Sequence, residues 1–97
     1  MIVEVVGKSK KPYELTDQNG KLRKGTSCRL SVHVGHYDSD PENGVFGDGE
    51  LFIELKAPDS IIDNVSVGDT LSVDLDDKRT RIKSAMLQVD NGGFMPI

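Results

Sequence analysis

From Ser27 to Gly35 the chain reads SCRLSVHVG, and its side chains alternate without a break. Cys28, Leu30, Val32 and Val34 fall on one side; Ser27, Arg29, Ser31 and His33 fall on the other. A period of two with one apolar side is the pattern of a half-buried antiparallel strand, and such a strand needs partners. The nearest lies just upstream. Asn19-Gly20 separates the short runs Pro12–Thr16 and Lys21–Lys24, and Asn-Gly favours a type I′ turn because both central residues must take positive φ. Residues 8–25 are therefore expected to form a hairpin. Few apolar and many basic side chains lie on it, so it is predicted to project from the core as a wing, with Gly25 allowing a bend where it re-enters.

The remaining strands follow from the same periodicity. Ile2, Val3, Val5 and Val6 predict a first strand ended by Gly7, and Pro12 suits an edge or wing position because it cannot donate a ladder hydrogen bond. His36–Gly49 is a polar loop, with Val45 and Phe46 folding back as a small hairpin. Its order Asp38, Asp40, Glu42, Gly44 matches a calcium loop poorly: Pro41 interrupts it and its glycine comes one place late. Glu50–Lys56 alternates again, with Leu51, Ile53 and Leu55 inward and Phe52 outward. Ala57-Pro58 ends that strand, and Asp59 or Ser60 is expected to cap a short helix burying Ile61, Ile62 and Val65. Gly68-Asp69 turns into a strand with Leu71, Val73 and Leu75 inward. After the turn Asp76-Asp77-Lys78, residues 79–89 read as a last strand with a bulge near Ser84 or Ala85. Residues 90–97 read as a loose tail.

Ninety-seven residues suffice for one domain, 1–97, with a single core. No apolar run approaches the roughly 20 residues needed to span a bilayer. The N-terminus places its apolar residues before its charges, the reverse of a secretory signal. Cys28 is the single cysteine, which fits a reducing cytoplasm. Its place on an apolar face makes it a buried core thiol in preference to a nucleophile. The net charge of −4 conceals segregation. Residues 1–35 carry seven Lys/Arg against three acids, residues 36–77 one Lys against twelve acids, and residues 78–97 four Lys/Arg against Asp90. If the two basic segments share a face, screening over about 8 Å lets that face attract a polyanion despite the acidic middle. Otherwise both are solvated surface.

Five strands with one short helix between the third and fourth predict an all-β, OB-fold-like Greek-key barrel with a protruding basic hairpin, an architecture that often binds oligonucleotides. Split and SH3-like barrels share much of that pattern, and a fold alone does not assign a function. The early basic hairpin, the segment Lys11-Pro12-Tyr13-Glu14-Leu15 and the strand Ser27-Cys28-Arg29-Leu30-Ser31-Val32 resemble the filamentous-phage gene V single-stranded DNA-binding proteins and their relatives in mobile elements. That resemblance implies an OB-fold homodimer in the host cytoplasm. It would coat single-stranded DNA during replication without sequence preference, as a helix-destabilising protein.

Such binding needs cations for phosphates and flat rings for bases. Lys8, Lys10, Lys11, Lys21, Arg23, Lys24 and Arg29 are the candidate cations of the arm and central strand, with Arg79, Arg81 and Lys83 added from the last strand. Tyr13, inside the basic ribbon, is the candidate stacking ring; the alternative is a ring packed across the hairpin on Leu22. Phe52 offers a base platform or a dimer contact, and His33 shares a face with Arg29. No nucleophile, P-loop or zinc signature argues for an enzyme, and no cofactor or metal is expected. A second reading is a protein-interaction module that uses the acidic 36–77 segment, its loop 36–49 or a sheet edge to engage a basic partner.

Overall fold

In a computed structural model that describes residues 1–97, the chain is all-β with one short α-helix. Six strands form one antiparallel sheet: β1 Ile2–Thr16, β2 Leu22–Tyr37, β3 Gly49–Lys56, β4 Thr70–Leu75, β5 Ile82–Gln88 and β6 Phe94–Pro96. Their order is β3-β2-β1-β4-β5-β6, with helix α1, Asp59–Asn64, between β3 and β4. The free edge of β3 meets the turn before β5 at a single parallel bridge, Lys56 to Arg81, where the Lys56 N–H donates to the Thr80 carbonyl at 2.9 Å. The sheet is thus six-stranded and open where five strands closed into a barrel were expected. The extra strand comes from the tail: Met86, Leu87 and Gln88 pair with Pro96, Met95 and Phe94, and Ile97 packs against the core.

β1 and β2 pair continuously from Glu4–His33 out to Thr16–Leu22. Gly7 does not end the first strand. It sits at a bulge, which lets β1 change phase and run on. Fifteen residues at roughly 3.3 Å each make β1 about 50 Å long, and the molecule extends over 55 × 38 × 23 Å. No residue from 6 to 27 is buried, so the distal hairpin stands clear of the core. Its tip differs from a type I′ turn. Only Gly20 takes a positive φ, 76°, and Asn19 does not. The Asp17 carboxylate decides this by accepting the backbone N–H groups of Asn19 and Lys21, both at 2.9 Å. That Asx arrangement favours a three-residue loop with glycine in the bulge position.

The core holds thirteen buried residues, all hydrophobic: Val3 and Val5 of β1, Cys28, Leu30 and Val32 of β2, Leu55, then Ile61, Ile62 and Val65 of the helical segment, Leu71 and Val73 of β4, and Ile82 and Ala85 of β5. Each buried aliphatic side chain contributes about 1.5–3 kcal/mol. Leu51 and Ile53, expected inward, are exposed. They lie on the edge strand β3, whereas α1 packs over β1 and β2. Asp59 and Ser60 do not cap the helix either; Pro58 stands at its N-cap without a side-chain hydrogen bond. The last long strand starts at Ile82 instead of Arg79, and its bulge falls a residue earlier than expected. Asp74 faces Ser84 and Leu75 faces Ile82, which leaves Lys83 as the extra residue and turns both Ile82 and Ala85 inward. No helix is long and apolar enough to cross a membrane.

Candidate nucleic-acid interface

In an antiparallel ladder, directly opposed residues point to the same side of the sheet. The register therefore sorts the side chains of β1, β2 and β3 into two faces. Lys8 opposite Leu30, Lys10 opposite Cys28 and Glu14 opposite Lys24 share the face that carries the core and α1. The outer face holds, row by row, Leu15 and Arg23; Tyr13 and Gly25; Lys11 and Ser27; Ser9, Arg29 and Lys56; Gly7, Ser31 and Glu54; and Glu4, His33 and Phe52. In its middle the small residues Gly7, Ser9, Ser27 and Ser31 alternate with the long side chains of Lys11, Arg29, Lys56 and Glu54. An aromatic stands at either end. From the row of Gly25 to that of His33 the face is about 26 Å long at roughly 3.3 Å per residue.

The two rings are held differently. Tyr13 lies across the hairpin on Gly25, so tightly that a Cβ at Gly25 would collide with the ring. This is cross-strand packing, but the partner is Gly25 and not Leu22. The ring covers a strand glycine that has no side chain of its own, and 43% of Tyr13 stays exposed. Tyr37 covers Gly49 in the same way on the next strand pair. Phe52 is 57% exposed and meets the His33 ring at 5.1 Å between centroids, tilted by 53°. His33 in turn bonds Glu50 through Nε2.

The basic residues divide by what already neutralises them. Lys8 donates to the carbonyls of Ile62 and Val65 at 3.0 and 2.7 Å, closing the C-terminal end of α1. Lys10 bonds Asp63 at 2.9 Å beside Asp59, and the Asp63 hydrogen bond raises its pKa. Both lie on the inner face, so neither joins the outer interface. Lys24 pairs with Glu14 at 3.2 Å on that same inner face, and Arg23 with Asp17 at 3.5 Å near the tip. Arg29, on the outer face, pairs with Glu54 at 3.0 Å. Lys11, Lys21, Arg79, Arg81 and Lys83 have no carboxylate partner within 4.0 Å, and neither does Lys56. Lys21 stands beside the hairpin tip, Arg79 in the turn before β5 at φ 56°, and Lys83 at the β5 bulge.

Where β3 ends, an open groove of about 450 Å³ runs along the exposed edge of β2. Tyr13, Thr26, Ser27, Arg29, Lys56 and Arg81 line it. The turn carrying Arg81 is tied by Asp76, whose carboxylate accepts the N–H groups of Thr80 at 3.0 Å and Arg81 at 3.2 Å. Those bonds, the Thr80 one foremost, lower the Asp76 pKa. Four of the expected residues, Lys11, Tyr13, Arg29 and Phe52, therefore meet on one face, and Arg81 joins them across the groove. Lys56 was missed because it is the lone cation of the acidic segment; its parity with Phe52 and Glu54 carried the signal.

Cys28 is buried as expected, and its thiol donates to the Asp59 carboxylate at 3.0 Å. That bond, followed by burial, raises its pKa and keeps it a protonated, unreactive thiol. The acidic loop after β2 folds over a 3₁₀ turn, Pro41–Asn43, and an Asp40–Val45 bridge, and brings no three metal-ligating side chains together. Searched against protein-family models, curated proteins and solved structures, the chain finds no significant match.

Proposed function

We propose that this protein binds single-stranded DNA without sequence preference on the outer face of β1, β2 and β3, as an OB-fold-type module. The observation that carries this reading is the makeup of that face: the small residues Gly7, Ser9, Ser27 and Ser31 between two exposed rings, Tyr13 and Phe52, with Lys11, Arg29, Lys56 and Arg81 along it. Rings stack bases of any identity for about 1–3 kcal/mol each, and cations meet phosphates. The OB-type assignment is supported by the pairing chain β3-β2-β1-β4-β5 and the parallel bridge that links its two ends. Glu50 and Glu54 sit beside the interface, but the Arg29–Glu54 pair is exposed. Exposed pairs are worth about 0–1 kcal/mol, so a phosphate can displace the carboxylate.

Titrating fluorescent oligo-dT with the protein between about 50 and 200 mM salt tests this. Binding is expected at low salt, weakening by about 0.7 log units per log unit of salt for every phosphate contact. No binding at low salt, or binding indifferent to salt, refutes it. A second reading has its own observation. The edge strand β3 exposes Leu51 and Ile53 on its core-side face and Phe52 on its outer face, an apolar sheet edge suited to a protein contact or to the homodimer that the gene V resemblance implies. Light scattering at micromolar concentration separates these from a 10.6 kDa monomer.

A further inference from the structure

We propose that the groove at the Lys56–Arg81 seam is the primary anchor of the bound strand, where Lys56 and Arg81 clasp one phosphate and Tyr13 stacks the adjoining base. This deepens the single-stranded DNA reading above and rests on it. Three observations carry it. The arm richest in basic residues offers the outer face few cations, since Lys8, Lys10 and Lys24 lie on its inner side, Lys8 bound to helix carbonyls and Lys10 to Asp63. Lys56 and Arg81, by contrast, have no carboxylate within 4.0 Å, Asp76 acting on Arg81 only from beyond that distance, and a bridge between their backbones brings both cations to the groove. Tyr13 and Ser27 also line the groove, which at about 450 Å³ has the size of a small-ligand site.

The seam adds a consequence. β3 and the turn before β5 touch through one parallel bridge, and like charges on its two sides oppose that contact. A phosphate between them replaces repulsion with attraction on both sides and pins the open sheet at its weakest join. Binding there should therefore stabilise the fold more than binding elsewhere on the face. Asp76 acts as a positioning residue, because it holds the turn that presents Arg81.

The test compares wild type with Lys56→Ala, Arg81→Ala and, as a control cation on the inner face, Lys24→Ala. Affinity for fluorescent oligo-dT is followed across salt, and thermal melting is followed with and without unlabelled oligo-dT. Lys56→Ala and Arg81→Ala should each flatten the salt slope by about 0.7 and lose most of the oligo-dT-induced rise in melting temperature, while Lys24→Ala changes neither. Wild-type binding with both variants keeping its slope and its thermal rise overturns the anchor and leaves the broader function standing. A wild type that does not bind oligo-dT overturns that function and the anchor with it.

Discussion

Replacing Lys8 with Met separates a structural lysine from a ligand-binding one. The ammonium donates to the carbonyls of Ile62 at 3.0 Å and Val65 at 2.7 Å. Helix α1 has no basic residue in its own last turn, so Lys8 supplies the cation that its C-terminal end favours. Beneath that end lie Ile61, Ile62 and Val65, all in the core. Methionine keeps the aliphatic stem and removes both bonds. Hydrogen bonds from a charged donor contribute about 1.5–3 kcal/mol each. These two share one partly hydrated ammonium, so the combined loss is taken as about 2 kcal/mol. At roughly 4–8 °C per kcal/mol for a domain of this size, the melting temperature should fall by about 8–16 °C. Circular-dichroism melts measure that fall, and oligo-dT anisotropy below the transition should show unchanged affinity. An unaltered melt with weakened binding would refute the reasoning and return Lys8 to the nucleic-acid interface.

Tyr13→Ala should lower both quantities. It uncovers Gly25 and removes a cross-strand pair worth about 0.2–1 kcal/mol, a shift of a few degrees, and its loss of oligo-dT affinity should persist at high salt because stacking releases no counterions. A loss confined to low salt would contradict stacking. Asp76→Ala tests the turn that carries Arg81. The folded state lowers the Asp76 pKa below its usual 3.8, so its stabilising effect is fully present above that value and is lost as pH falls through the lower folded value. Wild type should therefore melt above Asp76→Ala at pH 7, with the gap closing in acid; a gap independent of pH would show that the carboxylate charge plays no part.

Local periodicity alone determined much of this protein. The alternation from Ser27 to Val34 assigned every core residue of β2, because a strand with one buried face leaves only one way to place its side chains. Ile61, Ile62 and Val65 marked the helix, Leu71 and Val73 marked β4, and the lone cysteine was correctly placed in the core. Arg29 and Phe52 were each legible as facing away from the core by parity within their own strands. A two-residue Asn19-Gly20 turn, by contrast, would set Tyr13 opposite Thr26, and only the three-residue loop brings it opposite Gly25 and onto their side.

Tertiary structure decided what periodicity cannot express. Alternation in ELFIELK marked Leu51 and Ile53 for the interior, but burial depends on a covering layer, and α1 packs over β1 and β2. The bulge at Gly7 carried β1 on into the wing, and the pairing partner of Phe94–Pro96 lay in β5, so neither could be seen from its own segment. Above all, a lysine in sequence is a positive charge without a neighbour. Lys8 and Lys10 looked no different from Lys11 until the fold laid helix carbonyls and two aspartates against them. Lys56, isolated among acids in the chain, was brought beside Arg81 by the bridge between two distant strands. Availability for a phosphate is a property of the pair, and only the folded chain makes the pairs.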